Sequence, residues 1–457
     1  VLVDLLEKWL TRPGAWQVAG PPAEHATLGG TPLRNGIDAV PFDPGAALWQ
    51  IHFDGQHTAA RPTATDRFPV VVGDRIFVAD SFAVRGFRLD DGQPAWPRDG
   101  STDGVLYPVP SGVPVRAALP RSGRIITSLC ASDGRLFARI GSPVTATAAR
   151  EPRPVFHELV GLDIRTGEGK LTLQIETAAL PETGDQPRWS FDGPPVVSAG
   201  RLWVATRRGH PQVQLGVACF DTASGKRIWH RQLGAAATDV DESLNVVTHN
   251  VLSLADGTLF YSGDLGVTAA LDANIGTIRW LHVHTAPEHT GPHACLPDPA
   301  SGLVFLCTGT ASIVALDSAD GSPRWQRSLP GGIRHLLGVR GGLLVASGRS
   351  LWALRTASGR VAWQRLARQT HQQTSGRGLV TAHVVFWPTR DLLHLLDLAT
   401  GRPRRQPLRL DIRGCSGGNL LLSKNRLVIS ANGQLTVLGP FAGTRGTRGP
   451  LVSQLGR

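Results

Sequence analysis

The chain has 457 residues, of which 41% are hydrophobic, so it is long enough to bury one large core or several ordinary ones. Its 53 glycines and 33 prolines indicate many tight turns, which is typical of β structure. No run of 18 apolar residues occurs, and the sequence therefore predicts no membrane-spanning helix.

The formal net charge of +11 raises the question of nucleic-acid binding. Residues 401–457 contain nine arginines, one lysine and one aspartate, a net of +9. A basic end of this kind is usually a solvated tail that binds polyanions weakly and with strong salt dependence. We therefore predict no specific nucleic-acid binding, and we expect 441–457 to form a basic disordered tail.

The chain begins with an apolar pattern over 1–11 that predicts a short amphipathic helix, followed by a Pro- and Gly-rich linker to residue 43. These 43 residues are interpreted as an N-terminal extension. Because no methionine occurs, even at position 1, we expect the chain to be a module of a longer protein.

A ten-residue motif then recurs: an apolar residue, Asp or Arg, and a glycine followed four positions later by tryptophan. It reads FRLDDGQPAW at 87–96, FDTASGKRIW at 220–229, LDANIGTIRW at 271–280, LDSADGSPRW at 316–325 and LRTASGRVAW at 354–363. Two copies lack the tryptophan, LDIRTGEGKL at 162–171 and LDLATGRPRR at 396–405. The motif glycines are Gly92, Gly167, Gly225, Gly276, Gly321, Gly359 and Gly401.

The motif has a simple physical reading as a strand, a turn and a second strand. Asp accepts hydrogen bonds from the turn backbone, and glycine supplies the positive φ that the turn needs. Another hairpin pattern precedes each copy, for example VVVGDRIFVAD at 70–80. Each unit therefore predicts four short antiparallel strands, the content of one propeller blade.

The copies predict an all-β fold, an eight-bladed β-propeller over 44–440. The stretch 419–439 supplies three strands of the last blade, and PGAALWQIHF at 44–53 supplies the fourth, with Trp49 at the motif spacing. N- and C-terminal strands thus close one blade and remove a free sheet edge. Long spacings between copies predict insertions near 97–120 and 141–157.

One tryptophan per blade is interpreted as a docking residue that packs against the neighbouring blade, in preference to an aromatic ligand cage. These residues are Trp49, Trp96, Trp229, Trp280, Trp325 and Trp363.

The motif resembles the repeat of pyrroloquinoline-quinone-type propellers, which include quinoprotein alcohol dehydrogenases and the cofactor-free outer-membrane assembly lipoproteins of the BamB type. The resemblance covers residues 44–440 and specifies the fold far better than the function. Resemblance to the quinone enzymes implies an adjacent pair of cysteines, a calcium or lanthanide site and a catalytic aspartate. The five cysteines here are all separated, so we expect neither a quinone nor a metal cofactor.

Two stretches carry the remaining chemistry. His282, His284, His289, His293 and Cys295 lie within 14 residues and have side chains that suit zinc or copper, although their spacing matches no established metal motif; solvated loop histidines are the alternative. Cys295 and Cys307 have a spacing that also allows a disulfide across a hairpin.

Loops between blades are the candidate binding sites, because loops on a rigid scaffold usually carry recognition. The candidate binding residues are Asp239, Asp241, Glu242, His249, Asn250 and His371. We therefore predict a non-catalytic scaffold for a protein or peptide partner. The resemblance alone implies an extracytoplasmic, envelope location. The alternatives are a quinone- or metal-dependent oxidoreductase and a ligand-sensing domain of a larger signalling protein.

Overall fold

The fold is taken from a computed structural model of the chain. It describes residues 27, 31–33, 45–53, 65–96, 103–110, 125–142, 144, 156–165, 168–181, 189–208, 213–236, 250–284, 294–309, 311–367, 373–431 and 433–440. The predicted helix at 1–11, most of the predicted linker and the basic tail lie outside these residues.

The described residues form 34 β-strands in eight sheets, together with two single-turn 3-10 helices at Thr177–Ala179 and Asp411–Arg413. The sheets follow one another along the chain as the blades of an eight-bladed propeller, which confirms the predicted fold.

The first half of the chain supplies blades 1 to 4 after two strands that join other blades, β1 (Ala46–His52) and β2 (Thr65–Phe68). Blade 1 contains β3 (Val70–Val72), β4 (Arg75–Ala79), β5 (Ala83–Arg88) and β6 (Val105–Pro108). Blade 2 contains β7 (Ile125–Ser132), β8 (Arg135–Gly141), β9 (His157–Asp163) and β10 (Lys170–Glu176). Blade 3 contains β11 (Ser190–Phe191), β12 (Val196–Ser198), β13 (Arg201–Arg208), β14 (Val213–Asp221) and β15 (Arg227–Ala236). Blade 4 contains β16 (Ser253–Ala255), β17 (Thr258–Ser262), β18 (Val267–Asp272) and β19 (Ile278–Val283).

The second half supplies blades 5 to 8. Blade 5 contains β20 (Leu296–Asp298), β21 (Leu303–Thr308), β22 (Ser312–Asp317) and β23 (Pro323–Ser328). Blade 6 contains β24 (Ile333–Arg340), β25 (Leu343–Gly348), β26 (Leu351–Arg355) and β27 (Val361–Arg365). Blade 7 contains β28 (Leu379–Val380), β29 (Val384–Pro388), β30 (Leu392–Asp397) and β31 (Leu408–Arg409). Blade 8 contains β32 (Asn419–Ser423), β33 (Arg426–Ala431) and β34 (Gln434–Gly439), and β1 completes it.

The N-terminal strand closes the ring as the sequence predicted. β1 pairs with β34 in antiparallel register, with Trp49 opposite Val437 and His52 opposite Gln434. Because the outer strand of the last blade comes from the start of the chain, the backbone hydrogen bonds of one sheet tie the two ends of the propeller together.

The repeat turns have the chemistry that the motif indicated. Asp272 accepts hydrogen bonds from the backbone N–H groups of Asn274 and Ile275, and Gly276 adopts a φ of +71°. The side chain of Arg279 lowers the pKa of the Asp272 carboxyl most strongly. The two backbone hydrogen bonds lower this pKa further below its ordinary value. A β-bulge then offsets the fourth strand just before Trp280, and bulges at the same point precede Trp325 and Trp363.

Antiparallel order within each blade sorts the connections between strands onto two faces of the propeller. The turn face carries the first and third turns of each blade, such as 256–257 and 273–277 in blade 4. The loop face carries the second turns, such as 263–266, and the strand ends that lead from one blade to the next.

The core consists of apolar side chains between neighbouring blades. One cluster joins blades 5 and 6 through Phe305, Trp352 and Leu344, all buried. Near the axis, β2 runs parallel to β7, and Phe68 packs with Val251 of blade 4 and Ala294 of blade 5. The N–H of Leu254 donates to the carbonyl of Pro32 at 3.0 Å, so part of the predicted linker contacts blade 4.

Candidate functional site

Five of the six repeat tryptophans lie at the seams between blades, where each ring covers the motif glycine of the next blade. A methyl group on Gly359 would lie 2.5 Å from the Trp325 ring, and one on Gly401 would lie 2.6 Å from the Trp363 ring. The same pairing joins Trp49 with Gly92, Trp229 with Gly276 and Trp280 with Gly321. Only glycine fits this approach, since its φ is positive at every one of these turns.

Four of these five indoles also donate a hydrogen bond to one motif carbonyl of the next blade. The Nε1 atoms of Trp49, Trp280, Trp325 and Trp363 donate to the carbonyls of Leu89, Ser318, Thr356 and Leu398 at 2.6–3.0 Å. The equivalent acceptor for Trp229 is the carbonyl of Ala273, but Trp203 occupies it at 2.8 Å. The buried Trp229 Nε1 therefore has no hydrogen-bond partner among the described residues.

Trp96 departs from this arrangement. Its ring lies 6.0 Å from Phe77 of its own blade and under the guanidinium of Arg75, and the fourth strand of blade 1 is β6, beyond the insertion. Leu106 on β6 instead packs near Gly169 of blade 2. At the next seam Leu173 covers Gly225, because the motif copy of blade 2 has no tryptophan. Gly167 lies outside the described residues.

The histidine cluster is described only in part, because His289 and His293 lie outside the described residues. His282 and His284 are half-buried, with ring centroids 6.1 Å apart, and Thr268 Oγ1 lies 3.0 Å from His284 Nε2. Burial lowers the pKa of His282. No group of three or more metal-ligating side chains comes together in the described part of the chain. The two interpretations of 282–295, a zinc or copper site and solvated loop histidines, therefore both stay open.

The two cysteines that the sequence left as a candidate disulfide are free thiols on opposite faces of blade 5. Leu296 lies directly opposite Phe305 in the hairpin, so these two side chains are on the same face of the sheet. Side chains alternate along a strand, so Cys295 and Cys307 are on opposite faces. Cys295 packs towards blade 4 with Phe260, and Cys307 packs towards blade 6. A disulfide across this hairpin is therefore excluded by geometry.

Asn250, predicted to be in a binding loop, is fully buried and takes part in a polar network between blades 3 and 4. Its Nδ2 donates to Asp192 Oδ2 at 2.7 Å and lies 3.4 Å from Asp264 Oδ1. Arg207 Nη1 donates to both oxygens of Asp264 at 2.8 Å. On the other side of Asp192, Arg139 Nε of blade 2 donates to the carbonyl of Phe191 at 2.9 Å.

Charge in this network is balanced, with two arginines and two aspartates. Burial opposes the charge of Arg207, yet Asp264 and Asp192 hold its pKa above the ordinary value. Burial lowers the pKa of Arg139 to about 10, against the opposing effect of Asp192. Because arginine already compensates both carboxylates, the network does not fit a calcium site, which needs uncompensated oxygen ligands.

Three buried polar atoms of the network have no hydrogen-bond partner among the described residues: Arg207 Nε, Tyr261 OH and Asn250 Oδ1. Burial and the two aspartates raise the pKa of Tyr261 well above its ordinary value, so the phenol keeps its proton. The network joins blades 2, 3 and 4 and holds its ionisable groups in fixed states, which suits it for rigidity rather than for proton transfer.

Sequence reasoning missed this network because its members are far apart along the chain. Arg207 and Asp264 are separated by 57 residues, and neither belongs to the repeat motif. The remaining candidate binding residues, Asp239, Asp241, Glu242, His249 and His371, lie outside the described residues. The strands that flank them, β15 and β16 for the first four and β27 and β28 for the last, end or begin at the loop face.

The fold and its seams define the class of protein, a propeller of the quinoprotein type with a Trp-ended repeat. The sequence model of the family described as outer membrane protein assembly factor BamB matches residues 34–231 and 264–411. The match includes more than half of the chain, and the protein belongs to this family. No helix among the described residues is long and apolar enough to cross a membrane.

Individual relatives are distant. The outer membrane protein assembly factor BamB of Moranella endobia (strain PCIT) is 25% identical over 186 residues, which are 38% of this chain and 44% of that protein. The chain thus matches less than half the length of this curated relative.

Three solved structures share the fold. Crystalline BamB from Moraxella catarrhalis superposes with a TM-score of 0.50 at 14% identity, covering 86% of this chain and 99% of that one. The quinohemoprotein alcohol dehydrogenase of Comamonas testosteroni gives a TM-score of 0.60 at 15% identity, covering 92% and 81%. The computationally designed protein Ika8 gives 0.52 at 11% identity, covering 89% and 99%. At these identities the likeness is one of fold alone.

Proposed function

We propose that this chain is a non-catalytic propeller scaffold that binds protein partners in the bacterial cell envelope. The observation that carries the proposal is the family match over most of the propeller, to a family described as an outer membrane protein assembly factor. The distant relative from Moranella endobia has the same description. The same similarity supports the extracytoplasmic location that we propose.

The geometry supports binding rather than chemistry. The strands around 239–249 and 368–372 end on one face of a rigid ring, which is the usual position of recognition loops on a scaffold. The polar network of blades 2 to 4 contains two arginines, Arg139 and Arg207, and two aspartates, Asp192 and Asp264, whose charges compensate one another. We assign partner binding to the loop face, with Asp239, Asp241, Glu242 and His371 as the contact residues.

The test is genetic complementation in the host. Deletion of the gene should lower the abundance of outer-membrane proteins, measured by quantitative mass spectrometry of the membrane fraction, and the wild-type gene should restore it. A quadruple variant with alanine at Asp239, Asp241, Glu242 and His371 should accumulate normally and fail to restore it. The control is alanine at Asp74 and Asp90, exposed side chains on the turn face.

Two results would contradict the proposal. Unchanged outer-membrane protein abundance after deletion would remove the assembly role. Full complementation by the loop-face variant would remove the assigned surface, even if the assembly role stands.

A further inference from the structure

We propose that blade 6 carries a second binding site on the turn face, which takes an extended acidic segment of a partner protein. The proposal goes beyond the scaffold function, because it concerns the face opposite the loops and specifies the chemistry of the ligand.

Blades 6 and 7 carry a large positive charge. Residues 333–409 contain thirteen arginines and two aspartates, a net of +11, so the remaining 380 residues are neutral overall. Blade 6 itself, residues 333–365, has six arginines and no aspartate, glutamate or lysine. Its arginines therefore have no carboxylate of their own blade to pair with.

Comparison of the repeat motifs shows why blade 6 has excess positive charge on the turn face. In blades 4, 5 and 7 the motif aspartate pairs with an arginine seven residues later, as in Asp272 with Arg279, Asp317 with Arg324 and Asp397 with Arg404. In blade 6 the aspartate is replaced by Arg355, and the partner position is Ala362. The substitution removes the carboxylate of the pair and adds a cation at the same point.

Arg355 and Arg360 form the centre of the proposed site. The backbone N–H of Arg355 donates to the carbonyl of Arg360 at 2.9 Å, so the two residues face each other across the turn, and both are exposed. Arg402 stands at the equivalent turn of blade 7, next to Gly401, which the Trp363 ring of blade 6 covers. No ion pair joins Arg355, Arg360 or Arg402 to a carboxylate within the described ranges.

The rest of the turn face decides which polyanion fits. Blades 1 to 5 present nine aspartates there. Five of them pair with arginines, namely Asp74, Asp90, Asp91, Asp272 and Asp317. The other four form no ion pair within the described residues, namely Asp133, Asp221, Asp256 and Asp320. A flat anionic membrane or a nucleic-acid duplex laid on this face would meet the four carboxylates that form no ion pair, and these charges oppose its binding. A narrow ligand confined to blades 6 and 7 would not.

The dimensions favour a short peptide. Four strands spaced about 4.8 Å apart give a blade roughly 14 Å from its first strand to its fourth. An extended chain rises about 3.3 Å per residue, so four or five residues span the blade. Arginine forks bind carboxylates in bidentate geometry, which gives an Asp- or Glu-rich segment several matched contacts.

The experiment measures fluorescence anisotropy of a labelled octapeptide of alternating Glu and Asp against the full chain, with the Gln/Asn peptide as the ligand control. The test variant is Arg355→Asp with Arg360→Glu, and its first change restores the aspartate that caps this turn in other blades. The control variant is Arg390→Asp with Arg349→Glu, which makes the same charge change at exposed positions of the loop face.

We expect the acidic peptide to bind at low salt and the amide peptide not to bind. The turn-face variant should weaken binding by roughly tenfold or more, since it reverses two contacting charges, while the loop-face variant stays within about twofold. Both variants should keep the wild-type melting temperature within a few degrees. The loop-face residues of the scaffold proposal are intact in every sample, so failure here leaves that proposal standing.

Four results would overturn the proposal. Equal weakening by both variants would mean attraction by net charge alone. Absence of binding at low salt would remove the site. Tighter binding to phosphatidylglycerol vesicles or an oligothymidine than to the peptide would assign the arginines to a lipid or nucleic-acid surface. A concentration-dependent sedimentation coefficient that the turn-face variant abolishes would make a second copy of the chain the ligand.

Discussion

Replacing individual tryptophans by phenylalanine should separate the hydrogen bond at a seam from the packing of the ring. Trp325→Phe removes the indole N–H that donates to the carbonyl of Thr356 at 2.6 Å. Trp229→Phe removes an N–H that has no partner among the described residues, because Trp203 holds the carbonyl of Ala273. Each ring lies 2.5–2.6 Å from the point that a methyl group on its motif glycine would occupy, so the loss of ring size is matched.

The hydrogen bond of Trp325 determines how much the two variants should differ in their free energy of unfolding. A typical bond contributes about 0.5–1.5 kcal/mol net, and leaving its buried acceptor unpaired costs about as much again. Trp325→Phe should therefore lower the free energy of unfolding by about 1–2 kcal/mol more than Trp229→Phe. Trp203→Phe should cost less than Trp325→Phe, because the freed carbonyl of Ala273 becomes available to Trp229 Nε1.

The assay is urea unfolding of the three variants and the wild type, followed by tryptophan fluorescence and circular dichroism, with comparisons restricted to samples of equal m-value. Equal destabilisation by Trp325→Phe and Trp229→Phe would refute the reasoning. A larger loss for Trp229→Phe would show that its N–H has a partner.

Three further changes test other parts of the structure. Gly359→Ala should destabilise the fold by about 2–4 kcal/mol, since it combines a positive φ with a clash against Trp325. Gly341 also has a positive φ but has open space around it, so Gly341→Ala should cost about 1 kcal/mol. Similar losses of stability for the two variants in chemical denaturation would argue against ring contact at the seam. Arg207→Leu should cost about 3 kcal/mol, because it leaves Asp264 without the cation that is hydrogen-bonded to it. Arg390→Leu, at an exposed position, should change stability by less than about 0.5 kcal/mol. An unchanged stability of Arg207→Leu would show that the network is dispensable. Burial and the neighbouring Arg227 and Arg231 lower the pKa of His230 to about 4. The contribution of neutral His230 to stability is therefore fully present above about pH 6.5 and is lost as the pH falls towards 4. Melting temperatures between pH 7 and 4 should fall less steeply for His230→Gln than for the wild type, and parallel slopes would show that His230 does not contribute to the pH dependence.

Local chemistry explains why the fold was readable from the sequence. The motif combines Asp, which caps a turn, with Gly, which takes a positive φ, and both preferences belong to residues a few positions apart. Trp49 at the motif spacing was enough to predict that the first strand completes the last blade, and β1 pairs with β34 as expected.

Contacts between distant residues explain what the sequence did not reveal. Trp96 keeps the motif spacing, but the insertion after it moves the fourth strand to β6, where Leu106 lies at the seam. Asn250 follows a loop-like stretch, yet its contacts with Asp192 and Asp264 bury it between blades. The signal at Arg355 was visible as an arginine in the aspartate position of the motif, although its meaning depends on the carboxylates of the other blades.

The most direct test of the scaffold account is a titration of the purified protein with pyrroloquinoline quinone and calcium, followed by absorbance and melting temperature. The account predicts no saturable absorbance change and a melting temperature that stays constant across the titration. One quinone bound per chain, with a higher melting temperature that depends on calcium, would contradict it and make the protein a quinone-dependent oxidoreductase.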